Sequence, residues 1–184
     1  MRNSIFIFVA LILFSFTPTK DEPYVLWNKE RKLLWSDFNA KPNNLGAEAA
    51  MTSSSIEFGY SATNTKYQFQ IISKFFPNLS WSIKSKQSNY ILQHEQLHFD
   101  ITELYTRKLI KSIQDNVKTK KDVNKISVLV QKNMSDWNKD QDLYDKETKH
   151  SINTEKQAYW NEYVNSQLDS MQKYTNYKFV KILK

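Results

Sequence analysis

The chain contains no cysteine, only two glycines, four prolines and three histidines among its 184 residues. Without cysteine it cannot form disulfides, zinc–cysteine fingers or a thiol nucleophile, so a bound metal must be held by histidine, aspartate or glutamate. Few glycines and prolines predict long helices and strands with few interruptions. Hydrophobic residues make up 40% of the chain and aromatic residues 14%, which favours a folded domain over a disordered chain.

The chain is basic, with a formal net charge of +7. The positive residues are spread along the sequence, and Lys118, Lys120 and Lys121 form the one dense group. Neither a long basic block nor basic residues interleaved with aromatic ones occurs, so we interpret the charge as a solvated surface. We therefore expect no nucleic-acid partner.

The N-terminus carries an apolar run over residues 5–16, which follows Arg2. A helix that crosses a bilayer needs about 20 apolar residues, so this run fits the core of a signal peptide better than a membrane span. The sequence predicts a signal peptide, or alternatively an N-terminal anchor, over residues 1–20 and a single domain over residues 21–184. The protein is expected to be exported to the periplasm, cell envelope or medium, with no membrane contact beyond such an anchor.

Hydrophobic periodicity predicts an α+β fold. From Ser54 apolar and polar residues alternate in three segments, which favours an antiparallel β meander over residues 50–85. A helix over about residues 89–115 follows, with Ser88 as its N-cap and apolar residues on more than one side. Two further helices are expected over about residues 123–144 and 154–171, together with short strands at Leu33–Trp35 and Tyr177–Leu183. The long helix is expected to be central, with the meander packed against it.

The stretch His94-Glu95-Gln96-Leu97-His98 matches the pattern H-E-x-x-H. Two histidines one helical turn apart present their rings to one point and can bind zinc there. The intervening glutamate is the general base in such sites, because it can take a proton from a water that attacks a carbonyl. His94 and His98 are therefore candidate zinc ligands and Glu95 is the candidate catalytic base.

The third ligand has to come from another part of the chain. The metzincin pattern requires glycine at position 101 and histidine at position 104, and Ile101 and Leu104 occupy those positions. Asp100 and Glu103 lie too far around the helix from His98 to share a metal with it. These two carboxylates are better interpreted as surface groups or as outer partners of a ligand.

His150 is the predicted third ligand, because it is the one remaining histidine and lies at a junction between two predicted helices. Asp145 or Glu147 from the same junction is the alternative. The group that stabilises the transition state is not identified by the sequence. Candidates for that role, or for an outer partner of the metal, are Tyr105, Tyr144, Asp145 and Tyr159.

Three blocks of sequence together resemble a bacterial family of unknown function whose members are described as predicted secreted zinc-dependent proteases. The blocks are Leu33–Phe38, His94–Ile101 and Tyr144–His150, and the resemblance extends over about residues 25–165. In that family a glycine usually follows the last histidine, where this chain has Ser151. The resemblance implies zinc binding and peptidase-like chemistry, with a fold of the zincin type, but implies no particular substrate.

The sequence therefore predicts an exported zinc-dependent peptidase with a peptide or protein substrate. Two alternatives share the same motif. One is a non-catalytic envelope protein that binds a metal or a partner, and the other is an amidase that acts on cell-wall peptides. Oligomeric state is not predicted by any feature of the sequence.

Overall fold

A computed structural model of the chain describes residues 7–8, 22–42 and 48–184. The predicted signal segment over residues 1–20 lies outside these residues, apart from the two-residue strand β1 (Ile7–Phe8). None of the helices in the described part of the chain combines the length and the apolar character needed to cross a membrane. The described residues form an α+β structure of antiparallel strands and three α-helices, as the sequence predicted.

The main sheet is built on one long hairpin, β4 (Ser54–Thr63) and β5 (Lys66–Phe75). Asn64 has a φ of 54° in the two-residue turn between them, a conformation that asparagine tolerates. On the other edge of β5 lie β2 (Val25–Leu26) and β7 (Lys178–Ile182), and β1 pairs with β4. The strand predicted near the C-terminus is thus confirmed.

The third strand of the predicted meander does not join this sheet. Residues Trp81–Ser82 form β6, which pairs with β3 (Ala50–Met51) in a separate two-stranded sheet. A 3-10 turn at Pro77–Leu79 redirects the chain, and the free edge of β5 is taken by β2 and β7. Alternation predicts which residues share a face of a strand but does not predict which strand is the partner.

The predicted central helix is confirmed as α1 (Asn89–Asn116). The hydroxyl of Ser88 accepts a hydrogen bond of 3.2 Å from the backbone N–H of Ile91 and so caps the first turn. The hairpin covers one side of α1 with apolar side chains, and the other two helices cover the rest. The residues that meet in this core include Phe58, Phe69, Ile71, Leu97, Ile101, Leu104, Leu109 and Ile113.

The other helices are α2 (Ile126–Thr148) and α3 (Thr154–Ser170). A 3-10 helix over Lys120–Lys125 precedes α2, which extends four residues beyond the predicted end at Tyr144. On α3 the polar Gln157 is buried, whereas the neighbouring Ala158 is exposed. The reason is that the buried side chains of α3 recur at positions 157, 160, 164 and 168.

The described residues 22–42, which precede β3, are joined to α1 by hydrogen bonds. Residues Trp35–Asp37 form a 3-10 turn rather than the predicted strand, because the Asp37 carboxylate accepts the backbone N–H of Leu34 at 2.7 Å. Asp100 accepts the indole N–H of Trp27 at 2.6 Å. Asp100 is therefore a structural residue, as the sequence-based exclusion from the metal site suggested.

Glu103 is fully buried and holds a second polar junction together. Its carboxylate accepts hydrogen bonds from Ser73, Tyr177 and Arg107 at 2.6–2.7 Å. Arg107 in turn donates to the carbonyl of Leu168 at 2.8 Å. Burial raises the pKa of Glu103, and the three donors oppose that effect. This junction joins α1 to the sheet and to the end of α3, and it leaves Glu103 no contact with the histidines.

Candidate metal centre

His94 and His98 lie one turn apart on α1, on the side of the helix that faces α2 and α3. Their Nε2 atoms are 3.3 Å apart, and the two rings are nearly perpendicular. Asp145, in the last turn of α2, places its Oδ1 atom 3.1 Å from each Nε2. In the described part of the chain, these three residues form the one group of histidine and acidic side chains close enough to share a metal ion.

The spacing of the three atoms fits a tetrahedral ion. Zinc binds histidine nitrogen and carboxylate oxygen at about 2.0–2.2 Å, so neighbouring ligand atoms in a tetrahedron are about 3.3–3.5 Å apart. The observed separations of 3.1–3.3 Å are close to that value. The carboxylate that closes the group is Asp145, which the sequence offered as the alternative to His150.

Two glutamines fix the orientation of the histidine rings. The Nδ1 atom of His94 lies 2.8 Å from Oε1 of Gln157, and the Nδ1 atom of His98 lies 2.6 Å from Oε1 of Gln141. The amide nitrogen of Gln157 donates to Asn161, and that of Gln141 donates to the carbonyl of His98. Because each amide oxygen can only accept, each Nδ1 carries a hydrogen, and in the neutral ring each Nε2 has a lone pair that faces Asp145.

Three lone-pair atoms therefore meet at one point, and they require a cation between them. In the metal-free protein a proton meets that need. Burial lowers the pKa of His98, but the hydrogen bond and charge of Asp145 outweigh burial and raise it to about 9. Burial would raise the pKa of Asp145, yet the two histidines hold it well below its usual range. A divalent metal can replace the proton, because metal ligation requires the same deprotonated atoms.

The ring of Tyr144 packs against both histidine rings. Its ring stacks on that of His94 at 4.6 Å and meets that of His98 edge-on at 4.8 Å. Its hydroxyl is buried and donates to Oε1 of Gln157 at 2.7 Å. Burial raises the pKa of Tyr144 far above its ordinary value, so the hydroxyl stays protonated. The predicted candidate is thus part of the frame that positions His94, and its hydroxyl is engaged by Gln157 and the carbonyl of His94.

The other predicted tyrosines lie outside the group. Tyr105 donates its hydroxyl to Asp140 at 2.6 Å. Tyr159 is exposed on α3 and stacks on Tyr163 at 6.3 Å. Glu147, the other carboxylate considered as a ligand, accepts the indole N–H of Trp160 at 2.8 Å. None of these side chains is in the group formed by His94, His98 and Asp145.

Glu95 is buried on α1 beside the start of the hairpin. Its Oε2 atom accepts a hydrogen bond of 2.7 Å from the hydroxyl of Thr52, which follows β3 directly. The same hydroxyl lies 3.1 Å from the carbonyl of Glu95. Thr52 therefore holds one carboxylate oxygen of Glu95 in a fixed position and leaves the other for a different partner.

His150 lies next to the three-residue group but is not in it. Its side chain is 58% exposed, and its Nδ1 atom is 3.5 Å from Oδ1 of Asp145. It belongs to a run of three left-handed residues, Lys149, His150 and Ser151, with φ values of 50°, 51° and 72°. Such conformations cost about 1–3 kcal/mol each outside glycine. The turn is held by the His150 N–H, which donates to the carbonyl of Asp145 at 3.0 Å.

Sequence comparison supports a family relationship for the central part of the chain. The sequence profile of a family described as "Bacterial protein of unknown function (DUF922)" matches residues 78–151. No curated protein and no solved structure matches the chain. The matched segment, less than half of the chain, contains α1, α2 and every residue of the metal group. The likeness to a bacterial domain of unknown function is thus supported over residues 78–151, whereas the peptidase chemistry that the resemblance implied stays a prediction.

Sequence reasoning missed Thr52, Gln141 and Gln157. A signal for the two glutamines was present in the helical periodicity. Gln157 begins the buried positions of α3, and Gln141 falls between Met134 and Thr148 in the series 134, 137, 141, 144 and 148 along α2. A glutamine at a buried position of such a series is expected to form hydrogen bonds with another buried polar group. No comparable signal marks Thr52, whose contact with Glu95 spans 43 residues.

Proton competition predicts the pH dependence of metal binding. The metal-free site holds a proton below about pH 9 because the pKa of His98 is raised, and zinc must displace that proton. We expect the apparent zinc Kd to rise by about tenfold for each pH unit below pH 9. Zinc binding at pH 6 should therefore be roughly a hundredfold weaker than at pH 8. Competition with a chromophoric chelator at these two pH values measures the difference. Equal affinities at both would contradict the proposed proton.

Proposed function

We propose that the protein is an exported zinc-dependent peptidase whose metal is held by His94, His98 and Asp145. The observation that carries the proposal is the convergence of two imidazole lone pairs and one carboxylate oxygen within 3.1–3.3 Å. A fold that brought these groups together without a cation would leave them repelling one another. The zincin-like character of the fold is part of this proposal.

The donor set favours zinc among the common metals. Calcium and magnesium prefer six or more oxygen ligands, whereas two imidazoles and one carboxylate suit zinc in a four-coordinate site. Three protein ligands leave one position for water or substrate, which is typical of catalytic zinc. The side chain of Asp145 is 31% exposed, whereas that of His94 is 4% exposed, so the group opens to solvent on the side of Asp145.

Glu95 is assigned as the general base. Zinc in such a site would lower the pKa of a bound water to about 7 and polarise a peptide carbonyl. Glu95 follows His94 on the same helix, and Thr52 holds one of its oxygens in place. The other oxygen of Glu95 takes a proton from the attacking water and delivers it to the leaving amine. Burial of the carboxylate excludes bulk water and strengthens these interactions.

His150 is assigned as a hydrogen-bond donor to the oxygen of the tetrahedral intermediate. It is the exposed polar side chain beside Asp145, and the left-handed turn holds it at that side of the group. The alternative donor Tyr144 already donates its hydroxyl to Gln157. Preorganised donors of this kind are typically worth a factor of about 100–1,000 in rate. This role replaces the ligand role that the sequence predicted for His150.

Metal removal tests the proposal. The purified protein is expected to carry about one zinc ion per chain and to cleave members of a peptide library. A chelator should abolish both properties, and added zinc should restore them. A variant with His98→Asn serves as the matched control, because it should neither retain zinc nor recover activity. A protein that cleaves equally well without metal would overturn the proposal, and zinc binding without any cleavage would leave the non-catalytic alternative in its place.

A second experiment separates the cell-wall amidase from the peptidase. Digestion of purified muropeptides, in which the peptide is still joined to its sugar, followed by mass spectrometry, identifies the bond that is cut. Release of the peptide from its sugar, with no cleavage of unmodified peptides, would establish the amidase. We expect cleavage between amino acids.

A further inference from the structure

Lysines gather at the end of α1 that is remote from the histidines. Four contacts bring them together: the Lys181 ammonium donates to the carbonyls of Ile113 and Gln114, the Lys120 N–H donates to Lys184, and Ile182 is opposite Lys66 in the sheet. We call this surface the lysine end. Its members are Lys66, Lys111, Lys118, Lys120, Lys121, Lys125, Lys173, Lys181 and Lys184.

Few carboxylates balance this charge. Asp115 is paired with Lys111, and Asp122 is 2.7 Å from Lys125. Nine lysines and two aspartates leave an excess of seven positive charges, which equals the formal net charge of the whole chain. The remaining residues therefore carry no net formal charge, and the positive excess belongs to the lysine end. Burial and the neighbouring charge of Lys118 lower the pKa of Lys181, as expected where positive potential accumulates.

Several of these lysines are free to meet a ligand. Lys66, Lys120, Lys121 and Lys184 are exposed, and none has a carboxylate within 4.0 Å in the described part of the chain. Val180 and Ile182 are 50% and 59% exposed on β7 beside them. Because side chains alternate along a strand, these two apolar residues share one face of β7, and Lys66, which is opposite Ile182 on β5, lies on the same face.

Positive charge mixed with exposed aliphatic side chains fits the headgroup region of a lipid bilayer. Ammonium groups are attracted to anionic headgroups, and short apolar side chains can enter the boundary between headgroups and acyl chains. Single-stranded nucleic acid is bound instead with aromatic side chains that stack on bases. Val180 and Ile182, the exposed hydrophobic residues of β7 beside the lysine end, are aliphatic rather than aromatic.

We propose that the lysine end binds reversibly to membranes that contain anionic phospholipid, a contact that the sequence-based expectation of no membrane contact beyond an N-terminal anchor did not include. Val180 and Ile182 contact the headgroup region, and the free lysines supply the electrostatic attraction. Residues His98 and Asn116 are 18 positions apart on α1, which corresponds to about 27 Å at 1.5 Å per residue. The metal group is thus held away from the bilayer, where it can meet substrates in solution. This binding does not depend on the proposed peptidase activity.

Vesicle flotation with the full chain tests the proposal. Vesicles of phosphatidylcholine with about 30% phosphatidylglycerol are compared with pure phosphatidylcholine, so that any insertion of the apolar N-terminal run is measured separately. We expect at least tenfold more protein on the anionic vesicles at about 0.1 M salt, and loss of that difference at about 0.5 M salt. Equal binding to both kinds of vesicle would overturn the proposal.

Two matched variants locate the binding surface. Both replace four exposed lysines by glutamine and change the net charge equally. The first changes Lys66, Lys120, Lys121 and Lys184, and the control changes Lys41, Lys84, Lys139 and Lys146. We expect the first to lose at least about tenfold in binding to anionic vesicles and the control to lose less than about twofold. Equal losses would show attraction to net charge alone and would contradict a specific surface.

The apolar contribution has its own variant. Val180→Thr together with Ile182→Thr keeps two β-branched residues on β7 and removes their apolar ends. We expect this variant to bind anionic vesicles several-fold more weakly than the unchanged protein and to bind duplex DNA no differently. Tighter binding to DNA than to vesicles, together with no effect of this variant, would overturn the lipid assignment in favour of a nucleic-acid partner.

Discussion

Replacing Glu95 by glutamine is expected to lower the rate of peptide cleavage by about a hundredfold to ten-thousandfold without loss of zinc. Glutamine has almost the same shape and keeps an oxygen that can accept the Thr52 hydroxyl, which lies 2.7 Å from the carboxylate. It cannot take a proton, so the attacking water loses its base. The rate of cleavage of one library peptide, measured together with zinc content, gives the result.

Two controls separate this effect from a structural one. Glu162→Gln removes the same charge from the exposed surface of α3 and should leave both zinc and activity unchanged. Thr52→Val removes the donor that positions Glu95 and should reduce the rate by roughly tenfold, because the base remains but is less well held. Full activity in Glu95→Gln would show that this carboxylate is not the base and would remove the main chemical argument for a peptidase.

The positions of the helices were the part of the fold that could be predicted from the sequence. The start of α1 at Ser88 is set by a local side-chain cap, and its length follows from the lack of glycine and proline within Asn89–Asn116. The partners of the short strands were not predictable. Trp81–Ser82 has the same alternation as the hairpin strands, but it pairs with Ala50–Met51 because β7 occupies the edge of β5. That choice depends on residues almost a hundred positions away.

The pair of histidines followed from the motif, whereas the third side chain of the group did not. The prediction ended α2 at Tyr144, which assigned Asp145 and His150 to one junction between helices. In the structure α2 continues to Thr148, and this additional turn directs Asp145 toward α1. Which of the two residues faces the histidines depends on the angle and position at which α2 packs across α1. No local sequence pattern predicts that packing. The available sign in the sequence was that Thr148 continues the helical spacing 134, 137, 141 and 144.

The contrast between Asp145→Asn and His150→Asn is expected to identify the third ligand. Asparagine at position 145 keeps the shape of the side chain but removes the negative charge from the metal group. We expect the zinc affinity of Asp145→Asn to fall by more than about a hundredfold at pH 7.5, because a neutral amide is a far weaker ligand than a carboxylate. Affinity is measured by competition with a chromophoric chelator.

His150→Asn is expected to behave in the opposite way. Asparagine tolerates the left-handed conformation that His150 adopts, with φ at 51°, so the turn should be preserved. Zinc affinity should stay within about threefold of the unchanged protein, whereas cleavage should fall by about 100–1,000-fold through loss of the donor to the developing oxyanion. If His150→Asn instead loses zinc while Asp145→Asn retains it, His150 is the ligand. Asp145 would then act as its hydrogen-bond partner across the observed 3.5 Å contact.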